Sequence, residues 1–235
     1  MFRSIIFNIV LFVAMAVYLL FGVFFWWADK DTIFKYWLRF SRMFRFITEY
    51  VGGITYTIDH PENLLNGREI YAVRHESMWE TLALTTHFKR PVFVLKQELY
   101  NIPMFGHLAD RAGSIFINRE DGLHALISAT KKISKALNEG CQVIIFPEGT
   151  RMPSGTFVPL KRGIAFFYKN NHCPVVPIVH NSGKFWSKRS FRKYPGNITV
   201  KVFPKIEEGL SQDEFMDKLN DIFRSEVEKE SQIKE

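Results

Sequence analysis

Cysteine is scarce in this 235-residue chain: Cys141 and Cys173 are the two present, and both lie inside apolar, strand-like runs. That argues against a disulfide framework, fits a reducing compartment, and makes both thiols packing residues. Acidic charge is also in deficit. Asp and Glu number 24 against 31 Lys and Arg, and the resulting +7 favours anionic partners such as phospholipid headgroups, phosphate-bearing substrates or nucleic acid without choosing among them. No internal repeat or low-complexity segment is present, and a hydrophobic share of 47% is ample for a buried core. Disorder is expected only at the ends.

Formal charge is missing altogether from residues 5–28, where Asn8 is the single strongly polar side chain. As a helix rising ~1.5 Å per residue this stretch reaches about 36 Å, enough to cross a hydrocarbon core of roughly 30 Å with tilt. Trp26 and Trp27 close it, as expected of side chains that settle at a membrane interface. A signal peptide is the competing reading, but the run is long and no small-x-small cleavage pattern follows. Next, Ile33, Trp37, Phe40, Phe44 and Ile47 recur at helical steps while Lys35, Arg39 and Arg42 fall on other faces. This basic amphipathic helix suits an anionic membrane surface, or packing on the domain that follows. The cations after Ala28 place the remainder on the cytoplasmic side, at an inner membrane. Residues 1–50 thus read as a two-helix membrane anchor and 51–235 as a separate domain; whether the first helix spans the bilayer or returns to the same leaflet stays open.

After Tyr50 short β-branched runs appear at 54–58, 69–73, 92–95, 114–117, 142–146, 175–179 and 198–203, with helical stretches between most of them. The alternation predicts an α/β layered domain with a largely parallel mixed sheet flanked by helices. Functional loops in such sheets gather at the carboxyl ends of strands. Residues 211–235 read as a closing helix, with Ser211 and Glu214 in a capping-box pattern.

Two blocks begin where predicted strands end: His75-Glu76-Ser77-Met78-Trp79-Glu80 and Phe146-Pro147-Glu148-Gly149-Thr150-Arg151. His75 can take the proton of an attacking hydroxyl if a partner fixes its tautomer, and Glu80 is the nearest candidate. Ser77-x-x-Glu80 is equally a capping box, in which Glu80 would bond backbone instead. In the second block Gly149 permits tight backbone geometry and Arg151 can fork onto a phosphate. Arg119, after a third strand, offers a second guanidinium.

The H-x4-D/E block, the G-x-x-F-I-x-R block ending at Arg119, F-P-E-G-T-R and Val175-Val176-Pro177-Ile178 occur in an order that resembles the 1-acylglycerol-3-phosphate acyltransferase family, over roughly residues 51–204. The apolar start is similar to bacterial members. The resemblance implies that His75 is a general base supported by Glu80. It further implies that Arg119 with Glu148, Gly149, Thr150 and Arg151 binds the acceptor phosphate and shapes the site. Lys161 sits where the family often carries a basic residue, though a solvated lysine fits it as well. Many members have Asp where this chain has Glu80, so the supporting helix must sit slightly differently here.

The implied reaction is acyl transfer from acyl-CoA or acyl carrier protein, a co-substrate and not a cofactor, to the free hydroxyl of lysophosphatidic acid, giving phosphatidic acid. No metal and no cofactor are expected. No serine or cysteine nucleophile stands in a suitable context. Rival readings are another acceptor, such as glycerol 3-phosphate, or a non-enzymatic binder of anionic membrane lipids using the aromatic, basic loop at 185–193. Nucleic-acid binding is disfavoured, since no recognised module is present.

Overall fold

The computed structural model describes residues 1–64 and 67–232. Along the chain run α1 (Phe2–Gly22), α2 (Lys30–Phe46), β1 (Ile54–Asp59), β2 (Ile70–Val73), α3 (Trp79–Ala83), β3 (Pro91–Lys96), α4 (Phe105–Arg111) and β4 (Ile115–Ile117). These are followed by α5 (Gly122–Asn138), β5 (Gln142–Ile145), α6 (Gly163–Asn171), β6 (Val175–His180), α7 (Ser182–Phe185), β7 (Gly196–Val202) and α8 (Gln212–Gln232). Every predicted strand is present, within a few residues of its expected ends. The closing helix begins as expected: Ser211 N–H donates to Glu214 Oε2 at 2.8 Å and Glu214 N–H to Ser211 Oγ at 3.2 Å. Its predicted last residues, 233–235, lie outside the described residues.

The seven strands form one sheet in the order β1-β7-β6-β2-β5-β3-β4. All neighbours pair in parallel except β6 with β7, so the expected largely parallel mixed sheet is realised. The central strands β2, β5 and β6 are buried along their whole length, which is why their sequences are nearly continuous apolar runs. Alternation then sorts their side chains. Tyr71, Val73, Ile144, Val176 and Ile178 join one core with α1, α2 and α3, while Ile70, Ala72, Val143, Ile145 and Val175 join another with α5, α6 and α8.

The apolar stripe of α2 turns inward. Ile33, Phe40, Phe44 and Ile47 are buried in the first core, so packing on the domain, not a membrane surface, accounts for that stripe. Asp29 caps α2 by accepting the Thr32 N–H at 3.0 Å. A wide turn at Ile47–Val51 then leads into β1. In α1 only Ser4, Phe7, Leu11, Tyr18 and Gly22 are buried, while Ile5, Ile9, Phe12, Val13 and Val17 are exposed. The stretch Phe2–Phe25 is long and apolar enough to cross a membrane by length and composition.

Because β2, β4, β5 and β6 point the same way, their carboxyl ends open on one rim. That rim receives Arg74 and His75 from β2, Arg119 from β4, residues 146–151 from β5, and Asn181 and Ser182 from β6.

Candidate active site

His75 and Glu80 face each other. His75 Nδ1 lies 2.8 Å from Glu80 Oε1, and the carboxylate is fully buried while the imidazole keeps 16% of its side chain exposed. Glu80 also closes its own turn: Oε1 accepts the N–H groups of Glu76 and Ser77 at 2.9 and 3.0 Å. The two readings of Glu80 are therefore both met by a single oxygen. The other half of the expected capping box differs, since Ser77 Oγ accepts from Trp79 N–H at 2.9 Å. The helix is short, ending at Ala83 before a 3-10 turn at Leu84–His87.

Glu80 Oε2 is occupied as well. The hydroxyls of Ser77 and Ser182 donate to it at 2.8 and 3.1 Å, and His180 Nε2 stands 4.0 Å away. Burial by itself would raise the Glu80 pKa. The His75 hydrogen bond and the nearby imidazoles outweigh it and hold the group at about 2. An ionised carboxylate only accepts, so His75 Nδ1 carries the proton shared with it and Nε2 presents a lone pair. The Phe146 ring stacks on the imidazole at 4.2 Å between centroids, with 24° between planes, and fixes its orientation.

His180 is buried and neutral. Its Nε2 donates to Arg74 O at 2.8 Å, its Nδ1 accepts the Ser182 N–H at 3.3 Å, and burial pulls its pKa down to about 4.

The turn after β5 is held by its neighbours. Gly149 has φ +74°, which favours glycine, and a Cβ there would lie 2.6 Å from Arg119 Nη1, so the guanidinium would have to shift. Arg119 Nη1 donates to Gly149 O at 2.9 Å. Thr150 is exposed and Arg151 half-buried. Met152 N–H donates to His75 O at 2.7 Å, which ties this turn to the first block. The Lys161 N–H donates to Pro147 O at 2.9 Å, but its side chain is exposed, with no hydrogen bond or ion pair among the described residues.

Glu148 does not look outward. It is 3% exposed, its Oε1 accepts the His75 N–H at 3.3 Å, and its Oε2 is buried without a partner. It shapes the site from beneath instead of presenting a group to an acceptor. Between Glu148 and Glu76 lies buried Arg74, with Nε 2.6 Å from Glu76 Oε1 and Nη1 4.0 Å from Glu148 Oε1. Burial pushes Glu76 up to about 7 and Glu148 up to about 8 against the pull of Arg74. The close contact with Arg74 argues the opposite for Glu76. One guanidinium balances one carboxylate, so the short pair makes Glu76 the ionised partner and Glu148 the protonated one. Arg74 also donates to Thr156 O at 2.9 Å, and Glu76 Oε2 accepts the Gly183 N–H at 2.7 Å. This buried pair thereby joins three of the rim's loops, and removing one member of such a pair costs about 3–5 kcal/mol.

Sequence reasoning missed Arg74, Glu76, His180 and Ser182. Most of their contacts join residues far apart in the chain, and the Arg74–Glu76 pair, two residues apart across the histidine already singled out, looks in sequence like solvated charges. The basic loop after α7 was noticed, but not that Lys188 Nζ donates to Thr150 Oγ1 at 3.0 Å and Arg151 O at 3.3 Å. Among the described residues no three His, Cys, Asp or Glu side chains gather as metal ligands. Ser77 and Ser182 are both buried and donate to Glu80, so neither is poised as a nucleophile. What the arrangement offers is an oriented, partly exposed base beside a cationic turn.

Known proteins resemble the chain in sequence and in fold. A sequence model described as Acyltransferase matches residues 55–181. A 1-acyl-sn-glycerol-3-phosphate acyltransferase of Pseudomonas aeruginosa is 36% identical over 170 residues, covering 72% of this chain and 65% of that protein. One from Cocos nucifera is 32% identical over 161 residues, covering 67% and 52% respectively. The match thus spans between half and two thirds of these relatives' lengths. The crystal structure of the 1-acyl-sn-glycerophosphate acyltransferase PlsC from Thermotoga maritima has the same fold, with a TM-score of 0.78 at 20% identity over 97% of this chain and 96% of that one.

Proposed function

Since the chain belongs to the acyltransferase family, we propose that it transfers a fatty acyl group from a thioester, acyl-CoA or acyl carrier protein, to the sn-2 hydroxyl of lysophosphatidic acid. His75 Nε2 takes the hydroxyl proton as the oxygen attacks the thioester carbonyl. The C–S bond then breaks, and the imidazolium returns the proton to the departing thiolate. Glu80, ionised and buried, stabilises the imidazolium formed in between. Arg119, Thr150 and Arg151 receive the acceptor's phosphate, with Gly149 allowing Arg119 to approach and Glu148 supporting the His75 backbone. Lys161 flanks this region as a further cation.

The observation that carries this reading is the His75 Nδ1 to Glu80 Oε1 bond at 2.8 Å, which leaves Nε2 free on the side open to solvent. The exposed apolar face of α1 fits a membrane association that would bring the site to its amphiphilic substrates, with the catalytic domain on the cytoplasmic side of an inner membrane. The test is incubation of purified protein with lysophosphatidic acid and, separately, acyl-CoA and acyl carrier protein donors. Phosphatidic acid should form with at least one donor. Acylation of glycerol 3-phosphate in its place would move the assignment to another acceptor.

A further inference from the structure

Three cations stand around the turn after β5, and none of them is in an ion pair among the described residues. Arg119 arrives from the end of β4, Arg151 belongs to the turn itself, and Lys188 arrives from the loop after α7. We propose that Lys188 is part of the binding site for a substrate phosphate group; this rests on the acyltransferase reading and extends it to a residue outside the family's blocks quoted above.

The loop that carries Lys188 is fixed at its root. Trp186 is buried against Phe7 and Phe44, with ring centroids 5.2 and 5.7 Å apart, and its N–H donates to Ser182 O at 2.8 Å. Ser187 Oγ donates to Gly183 O at 2.7 Å, and Gly183 in turn donates to Glu76. Lys188 is therefore delivered to the rim by packing.

Its ammonium has three N–H groups. Thr150 Oγ1 and Arg151 O take two, and the third is left on an exposed surface. Thr150 Oγ1, accepting from Lys188, keeps its own O–H to donate outward. Between residues 182 and 194 there are Lys184, Lys188, Arg189, Arg192 and Lys193 and no carboxylate. Glu148, the acid within the turn, faces inward. Among the described residues none of the three cations is ion-paired, and a phosphate dianion supplies acceptors to them through charge-assisted bonds. The contact of Met152 N–H with His75 O puts such a phosphate on the same rim as the base.

The alternative is that Lys188 is only a strut between two loops. Lys188→Met and Lys188→Arg separate the two, read by steady-state kinetics and by the thermal shift that inorganic phosphate induces. Phosphate should raise the Tm of the wild type and of Lys188→Arg, and this shift should vanish in Lys188→Met. In turnover, Lys188→Met should raise one KM roughly tenfold with kcat little changed. A rise for lysophosphatidic acid identifies the acceptor's phosphate, and a rise for acyl-CoA identifies the donor's. If both KM values and the phosphate shift are retained in Lys188→Met, Lys188 binds no phosphate, whatever happens to Tm without ligand or to kcat. A wild type that does not acylate lysophosphatidic acid would overturn the reaction assignment, and the phosphate shift would then decide Lys188 by itself.

Discussion

Glu80 Oε1 is 2.8 Å from His75 Nδ1 and within 3.0 Å of the N–H groups of Glu76 and Ser77, so one carboxylate oxygen both fixes the imidazole and closes the turn that carries it. Orientation of the base and formation of the loop are the same interaction. Charge and hydrogen bonding at this position are therefore separable by substitution.

Glu80→Gln keeps an oxygen for His75 and the two N–H groups, and its amide can donate to Ser77 and Ser182. The fold should hold, with Tm close to wild type. The imidazolium, however, loses its counter-charge, and kcat should fall on the order of 100-fold or more. Near-normal turnover in the folded variant would remove Glu80 from the chemistry and leave it a capping residue.

Gly149→Ala forces a side chain into φ +74° and against Arg119. The left-handed backbone costs about 1–2 kcal/mol, so Tm should drop by a few degrees. Arg119 must also give up its place beside Gly149 O, and KM for the acceptor should rise several-fold. An unchanged KM would show that the position of Arg119 is not used in binding.

These positions also show what was legible before the structure. The strands were legible from their β-branched runs, nearly continuous in β2, β5 and β6, which are covered on both faces, and alternating in burial in β1 and β7. The strand-end blocks were legible for the same reason, since parallel strands leave their carboxyl ends to the loops. The order of the strands was not legible, nor was the reversal of direction between β6 and β7, because register between distant segments has no local signature. The α2 stripe was visible, but Ile33 and Phe44 pack as well on protein as on lipid and periodicity does not choose. Glu80 looked like a choice between base partner and cap because a spacing of three or five residues says nothing about an oxygen that serves both. Arg74 and Glu76 escaped notice since a buried ion pair is indistinguishable in sequence from solvated charges.

The buried neutral His180 predicts a pH dependence of stability. Its folded pKa of about 4 lies below the ordinary value of 6.5. Between these values the unfolded chain binds the proton and the folded one does not, so stability attributable to His180 is complete above pH 6.5 and lost as pH falls towards 4, by at most on the order of 3 kcal/mol. Glu148, whose pKa burial raises to about 8, acts in the opposite sense as pH rises above its ordinary 4.5. The comparison that isolates the histidine is Tm against pH for wild type and His180→Gln. The wild type should lose stability relative to the variant on acidification from 6.5 to 4, and parallel curves would contradict a neutral His180.

The central claim is that His75 Nε2 removes the acceptor's proton. The direct measurement is phosphatidic acid formation from lysophosphatidic acid and a thioester donor by wild type and His75→Ala, with Tm measured on both. The account predicts turnover by the wild type and none above background by His75→Ala at a Tm close to wild type. Substantial turnover by folded His75→Ala would contradict it.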